Sequence, residues 1–203
     1  MTFLQHHPGE VARHTLEHVE LVLIALLVAC AIALPLGIVV ARSRRAGPAI
    51  LGVLNVLYTI PSLALLALLV PLFGIGTATA LIALVVYALM ILVRNVAAGL
   101  RGVPFALIDA ARGLGMSPWQ SFWRVQFPQA LPVMLGGARL ATITLIALAT
   151  LASWINAGGL GTLVLYGLQH DDPSRALVGS AIAALLAIGA DFGFRRLERL
   201  VRS

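Results

Sequence analysis

The chain is poor in charge, has no lysine and contains a single cysteine. Only 11% of its 203 residues are charged, whereas soluble domains carry about 25%. Its hydrophobic fraction is 60% and its mean hydropathy is +0.99. These values exclude an ordinary soluble domain and indicate an integral membrane protein. Cys30 lies inside an apolar run, where it has no partner for an internal disulfide bond and is predicted to act as a small core residue.

Two ways of driving transport are also missing. No apolar run carries a carboxylate near its middle, although proton- or sodium-coupled carriers usually need one there. The pattern GxxxxGK[ST] is absent, so the chain cannot hold ATP in a P-loop. Asp191 lies four residues before Arg195 near the end of the last apolar run, which predicts an ion pair at the membrane boundary. The chain therefore shows no energy source of its own.

Five apolar runs divide the chain, near residues 19–41, 49–73, 76–98, 131–153 and 175–194. The second contains Pro61, so a kink or break is expected there. Three glutamates among the first 20 residues replace a basic leader, and no signal peptide is expected. The runs predict an all-α integral membrane fold with about five transmembrane helices, in one domain over residues 1–203.

The net charge of +6 comes from 14 arginines, and their distribution is uneven. Five spans leave Arg13 and Arg175 on one side of the membrane and put the others on the opposite side. These others are Arg42, Arg44, Arg45, Arg94, Arg101, Arg112, Arg124, Arg139, Arg195, Arg196, Arg199 and Arg202. This bias predicts a multi-pass protein of the cell membrane with its N-terminus outside and its C-terminus in the cytoplasm. Scattered cations form no continuous basic patch, which argues against a nucleic-acid partner.

Residues 104–128 form the longest polar segment between apolar runs. Pro104 can open a helix that Gly113 and Gly115 stop, and Ser117 with Gln120 has the spacing of a capping box for a second helix. Trp119, Phe122 and Trp123 are predicted to share one face of that helix, and Pro128 and Pro132 are predicted to end it. From periodicity alone, two interpretations remain open: an anchor in the lipid interface, or a helix that docks in the groove of a soluble partner.

Within this segment, Asp109-Ala110-Ala111, Gly115 and Val125-x-Phe127-Pro128 resemble the EAA motif of bacterial ABC-importer permeases. That motif reads Glu-Ala-Ala, three residues, Gly, nine residues and Ile-x-Leu-Pro, so every spacing matches. Asp replaces Glu, Val replaces Ile and Phe replaces Leu. In that family the segment is the coupling helix, which sits in a cleft of the cytoplasmic ATPase subunit. The resemblance implies that the ATPase is contacted by Asp109, Ala110, Ala111, Gly115, Ser117, Trp119, Phe122 and Trp123.

Six further blocks resemble one branch of these permeases, the osmoprotectant permeases. They are His18-Val-Glu-Leu-Val-Leu-Ile24, Ala33-Leu-Pro-Leu-Gly-Ile38, Thr59-Ile-Pro-Ser-Leu-Ala-Leu-Leu66, Phe73-Gly-Ile-Gly-Thr77, Val93-Arg-Asn95 and Asn156-Ala-Gly-Gly-Leu-Gly161. That branch imports glycine betaine, choline, carnitine or proline betaine and is similar to the five-span methionine permeases. The resemblance implies a type I ABC importer fold. It also implies a second permease subunit (a second copy or a paralogue), two ATPase subunits and an extracytoplasmic solute-binding protein.

Two groups of residues are candidates for the translocation path. Tyr58, Pro61 and Ser62 lie at the expected break in the second run, where freed carbonyl groups can face a pathway. The second group follows the fourth run and, by resemblance, lies near the external gate; it comprises Trp154, Asn156, Gly158, Gly159 and Gly161. A packing kink, a flexible or re-entrant turn and hydrogen bonds between helices are the structural alternatives.

His14 and His18 would lie on one helix face with Glu17 nearby. A metal site needs three or four ligands in a defined geometry, so we predict a solvated or interfacial helix and no metal site. No cofactor is predicted, and ATP hydrolysis is assigned to the separate ATPase.

These observations predict a permease subunit that transports by alternating access, with a quaternary-amine osmoprotectant as cargo. Methionine, another amino acid or a different small zwitterion is the alternative cargo. In an alternative of another class, the chain is a secondary carrier or a structural membrane protein, and residues 104–128 only contact lipid.

Overall fold

The computed structural model describes residues 2–202, so the first and last positions of the predicted domain lie outside the described range. Every regular element within this range is helical. The first five helices are α1 (Thr2–His6), α2 (Pro8–Arg42), α3 (Ala46–Thr59), α4 (Ser62–Phe73) and α5 (Thr77–Arg101). They are followed by α6 (Phe105–Gly113), α7 (Pro118–Ser121), α8 (Phe127–Leu151), α9 (Leu160–Gln169) and α10 (Pro173–Arg202).

The helices agree with the predicted all-α membrane fold. In the described range, four are long and apolar enough to cross a membrane: α2, α5, the continuous helix Pro118–Ile155 and α10. The helices α3 and α4 meet at a bend of 97°, and they provide a fifth span when the pair is counted as one. Pro61, with φ −56° and ψ 138°, lies between them, so the expected kink is a full break of the helix.

Helix α2 begins eleven residues before the predicted start of the first span at residue 19. Its 35 residues extend about 52 Å, whereas the hydrocarbon core of a bilayer is about 30 Å thick. The first turns contain the charged residues Glu10, Arg13 and Glu17, so the apolar run that predicted the span did not include these turns. They remain helical because their side chains bond to other elements: Glu10 pairs with Arg175, and Glu17 accepts a hydrogen bond from Gly159.

The prediction that Pro128 and Pro132 end the second helix of the polar segment is wrong. A π-helical turn, Phe122–Gln126, joins α7 directly to α8, and both prolines lie inside one continuous helix. The amide N–H of Phe127 bonds to the carbonyl oxygen of Phe122, which widens the helix just before Pro128. Local π adjustments of this kind let membrane helices accommodate a residue that lacks an N–H group.

Helix α5 lies at the centre of the fold, against α2 on one side and α8 on the other. Small residues of α2 face it at intervals of four: Ala25, Ala29, Ala33 and Gly37 are all buried. A Cβ atom on Gly37 would lie 2.4 Å from the Cγ1 atom of Val96. Small residues allow membrane helices to approach closely, which is how this core gains its packing without bulky side chains.

Contacts divide the molecule into two polar ends. At one end, which we call the basic end, Arg42 lies over the ring of Phe122, 5.0 Å from its centroid, and Arg101 bonds to the carbonyl oxygens of Val40 and Ala41. At the other end, the first turns of α2 meet Gly159 and Arg175. The predicted segregation of Arg13 and Arg175 from arginines of the polar segment is therefore present in the fold.

Candidate functional site

Residues 104–128 form two short helices and a tight turn at the basic end. Helix α6 starts after Pro104 and ends at Gly113, and Gly115 takes the left-handed conformation with φ +76°. The predicted capping box is confirmed: the N–H of Gln120 donates to Ser117 Oγ (3.2 Å), and the N–H of Ser117 donates to Gln120 Oε1 (2.9 Å). These local devices position the start of the long helix that includes α8.

The three residues Asp109-Ala110-Ala111, which resemble the start of the EAA motif, differ in exposure. Asp109 and Ala110 are exposed, while Ala111 is buried. The Asp109 carboxylate pairs with Arg112 across one helical turn, with Oδ1 and Nη1 3.5 Å apart. Solvent screens an exposed pair of this kind, so its effect on stability is small. Asp109 is therefore free to contact another protein.

The aromatic residues predicted to share one face of the helix differ in exposure. Trp119 and Trp123 are 71% and 42% exposed and meet edge to face with their ring centroids 5.5 Å apart, but Phe122 is only 4% exposed. The Phe122 ring packs edge to face against Trp123 and lies beneath the Arg42 guanidinium. The sequence spacing therefore identified two exposed aromatics, and the third is a packing residue.

A groove of 430 Å³ runs behind the segment. Its walls include Arg42 from the end of α2, Arg112 from α6 and Gln126 from the π-helical turn. Gln126 donates to Ser121 Oγ over 3.3 Å, which fixes its amide in the wall. The segment is thus held to the membrane helices by side chains on one face and is exposed on the other.

The first group of candidate path residues lies around the break between α3 and α4. The break leaves the Ile60 carbonyl outside the regular helix, and it accepts a hydrogen bond from the hydroxyl group of Tyr87. The Tyr58 ring meets the Tyr87 ring edge to face, with centroids 5.8 Å apart, and is 41% exposed. Ser62 and Tyr87 line a small cavity together with Ala152. The break is therefore stabilised by α5, and it lies next to the end of the continuous helix Pro118–Ile155.

The second group of candidate path residues forms a turn rather than a long re-entrant segment. Asn156 (φ 58°), Gly158 and Gly159 (both φ +80°) take the left-handed conformation. A ten-residue helix, α9, then begins at Leu160, which the sequence analysis did not identify. A Cβ atom on Gly161 would lie 2.0 Å from the carbonyl oxygen of Thr150.

The two candidate groups have different neighbours, and Trp154 lies on the side of the second group. Its side chain is 60% exposed within the turn of 3₁₀ helix that ends α8. Side chains of α4 and α5 adjoin Ser62 and side chains of α2 adjoin the glycine turn, whereas the end of α8 adjoins both. The end of α8 therefore lies next to both candidate groups.

Sequence reasoning missed the anchoring role of the first turns of α2. Glu17 Oε2 accepts hydrogen bonds from the Gly159 N–H and from His14 Nδ1, each with a donor–acceptor distance of 3.0 Å. His18, only 1% exposed, donates from Nε2 to the carbonyl oxygen of Ile146 over 3.2 Å. The predicted solvated or interfacial helix is thus wrong for His14 and His18, which are both buried, His18 against α8 and the glycine turn. The spacing of His14, Glu17 and His18 was the available signal, but it cannot reveal partners so far along the chain.

No group of three or more His, Cys, Asp or Glu residues within the described part of the chain is arranged to hold a metal ion.

Comparison with known proteins decides the family. The model of the family described as "Binding-protein-dependent transport system inner membrane component" matches residues 33–203. The chain belongs to this family. The permease is 38% identical over 201 residues to the glycine betaine/carnitine/choline transport system permease protein OpuCB of Bacillus subtilis (strain 168), covering 99% of this chain and 93% of that protein.

Other relatives and solved structures agree. The carnitine transport permease protein OpuCB of Listeria monocytogenes is 40% identical over 198 residues, covering 98% of this chain and 91% of that protein. An inward-facing structure of the MetNI methionine ABC transporter includes a chain with a TM-score of 0.87 at 24% identity, covering 96% of this chain and 97% of that chain. The predicted all-α fold of the type I importer is thereby confirmed, and the permease is a multi-pass membrane component of an ABC importer.

Proposed function

We propose that this permease carries quaternary-amine osmoprotectants, such as glycine betaine, choline or carnitine, through an ATP-driven importer. One observation carries the cargo: relatives named for these solutes are 38–40% identical over 97–99% of the chain. The methionine transporter chain is 24% identical, and this similarity concerns the fold and not the cargo.

We propose that residues 104–128 couple the permease to the ATPase. The segment exposes large apolar side chains outside the long helices: Phe105, Leu114, Trp119 and Trp123 are 67%, 78%, 71% and 42% exposed. Exposed aromatic anchors on short helices suit docking in a groove of a soluble partner. Asp109 and Ala110 are exposed beside them. The same exposure would also fit insertion in the lipid interface, so the test has to distinguish the two.

In this account the basic end faces the cytoplasm. The concentration of arginines there, with Arg13 and Arg175 at the opposite end, supports this orientation. The glycine turn and the first turns of α2 then lie outside, where a solute-binding protein would dock. The ATPase would contact the opposite end, so binding of either partner can bias one alternating equilibrium between inward- and outward-facing states.

Two permease subunits would enclose the path, and this chain would supply exposed aromatic faces to it. Tyr58 and Trp154 are 41% and 60% exposed. A quaternary ammonium group binds aromatic faces through cation–π attraction. Aromatic residues make up only 6% of the chain, so we assign high-affinity selection to the solute-binding protein and describe the permease as a low-affinity conduit.

Two substitutions in residues 104–128, a charge reversal and a bulky replacement of glycine, test whether this segment couples the permease to the ATPase. The permease would be co-expressed with its ATPase and solute-binding protein as wild type, Asp109→Arg or Gly115→Trp. Arg196→Glu serves as the matched control, because Arg196 is also an exposed charged residue but lies in α10. We expect both coupling variants to lose the ATPase on purification and to lose uptake, with the control unaffected. Retention of the ATPase and of uptake in both variants would contradict coupling through this segment.

Stimulation of ATP hydrolysis by solute tests the cargo separately. In reconstituted vesicles, glycine betaine, choline and carnitine are each compared with methionine. We expect at least one quaternary amine to raise the rate of hydrolysis and methionine to have no effect. Stimulation by methionine alone would overturn the cargo assignment and leave the coupling proposal intact.

A further inference from the structure

The arginines of the chain are unequally supplied with partners. In the described part of the chain, ion pairs with carboxylates involve Arg13, Arg112, Arg139, Arg175 and Arg195. Two more are satisfied by uncharged groups: Arg94 donates to Asn55, and Arg101 donates to backbone carbonyls. The largest group without a carboxylate partner is in the connection between α2 and α3.

This connection places three guanidinium groups within four positions, at Arg42, Arg44 and Arg45. All three residues are exposed, and no carboxylate of the described residues lies within 4.0 Å of any of them. These exposed cations have no carboxylate partner among the described residues, and an external anion would reduce any repulsion between them. A chain that pairs so many other arginines internally leaves this cluster to an external anion.

The cluster borders a groove with an apolar wall. The three arginines, with Ser43, line a shallow, open groove that Ile38 and Val39 of the last turns of α2 also line. Val39 is 42% exposed. The groove therefore combines a cationic rim with hydrocarbon surface directly below it, at the point where a spanning helix ends.

That combination identifies the ligand class. The planar guanidinium fork matches phosphate oxygens in two-point contacts, and the chain uses arginine for every one of its cations. Basic residues that directly follow a membrane helix attract anionic headgroups. A free anion would gain nothing from Ile38 and Val39, whereas the acyl chain of a phospholipid would lie along them.

We propose that Arg42, Arg44 and Arg45, together with Ile38 and Val39, bind an anionic phospholipid. The phosphate is held by the guanidinium groups, and the upper acyl chain packs on the exposed side of α2. Arg42 is oriented for this by the Phe122 ring beneath it. The site is independent of the cargo; Arg44 and Arg45 lie outside residues 104–128 and their groove, whereas Arg42 also borders that groove.

Lipid binding by the purified permease tests the site. The probe is fluorescent phosphatidylglycerol titrated into nanodiscs of phosphatidylcholine that contain the wild-type chain, Arg44→Gln/Arg45→Gln, or Arg196→Gln/Arg199→Gln. Both double variants remove two exposed charges, and the second serves as the matched control. We expect the first to weaken phosphatidylglycerol binding by about thirtyfold, the factor for two arginines near a headgroup, and the control to keep wild-type affinity.

Three results would overturn the proposal. Equal losses in the two double variants would show general attraction to surface charge and no site. Equal affinity of the wild-type chain for phosphatidylglycerol and phosphatidylcholine would show no preference for an anionic headgroup. Displacement of the lipid by millimolar inorganic phosphate would show a simple anion site. Thermal unfolding of each variant, expected to match the wild type because the mutated side chains are exposed, controls for misfolding.

Discussion

Gly161 offers the sharpest test of how the glycine turn packs on α8. A Cβ atom added at this position would lie 2.0 Å from the backbone carbonyl oxygen of Thr150 and 2.8 Å from Ser153 Oγ. Real Cβ atoms essentially never approach other atoms closer than 3.0 Å, so α9 or the end of α8 has to move by about 1 Å. The obstructing atom belongs to the backbone, which cannot rotate away as a side chain can.

The size of the effect follows from this clash. Overpacking typically costs about 1–3 kcal/mol, and a backbone clash belongs at the upper end of that range. For a chain of this length, each kcal/mol lowers the melting temperature by about 2–4 °C. We therefore expect Gly161→Ala to unfold about 6–12 °C below the wild type in a thermal scan of the purified permease.

Gly189→Ala is the matched control for this measurement. Gly189 lies within α10, and no atom lies within 4 Å of the position that its Cβ atom would take. Alanine is favoured over glycine in a helix interior by about 1 kcal/mol, so this variant is expected to melt at or slightly above the wild-type temperature. Equal melting temperatures for Gly161→Ala and the control would refute the close approach of α9 to α8.

Three further predictions concern the coupling segment, the glycine turn and the helix break. Trp119→Ala is expected to leave the melting temperature of the permease unchanged because the ring is exposed, whereas Phe122→Ala removes a buried ring and costs about 3–5 kcal/mol of unfolding free energy. In a pull-down with the ATPase, only Trp119→Ala is expected to weaken binding without lowering stability. Glu17→Gln loses the charge-assisted hydrogen bond to Gly159, so backbone amides of the turn are expected to exchange hydrogen faster by about one order of magnitude, and unchanged protection would contradict the anchoring role. Tyr87→Phe leaves the carbonyl at the α3–α4 break without its donor and is expected to lower the unfolding free energy by about 1–3 kcal/mol, measured by chemical denaturation in detergent.

The features that depend on neighbours in the sequence could be predicted. The capping box of Ser117 and Gln120 is a matter of residues three apart, and the left-handed Gly115 needs only the absence of a side chain. Pro61 removes an N–H group from its helix wherever that helix packs. The apolar runs located the long helices for the same reason, because each residue of a run contributes its hydrophobicity independently of the fold.

The features that depend on partners far along the chain could not be predicted from the sequence. Glu17 and Gly159 are 142 positions apart, so nothing in the local pattern around either residue indicates their hydrogen bond. Helical spacing placed Phe122 with two tryptophans, but it could not show that Arg42 of another helix covers the Phe122 ring. A proline such as Pro128 ends most helices of soluble proteins, yet here the π-helical turn before it lets the helix continue.

The central claim is that an ATPase bound at residues 104–128 powers this permease. ATP-dependent uptake of radiolabelled glycine betaine into vesicles that contain the complete importer measures it most directly. We predict uptake that requires internal ATP and the binding protein, is lost in Asp109→Arg and persists in Arg196→Glu. Uptake that proceeds without ATP on a proton or sodium gradient, or that survives Asp109→Arg, would contradict it.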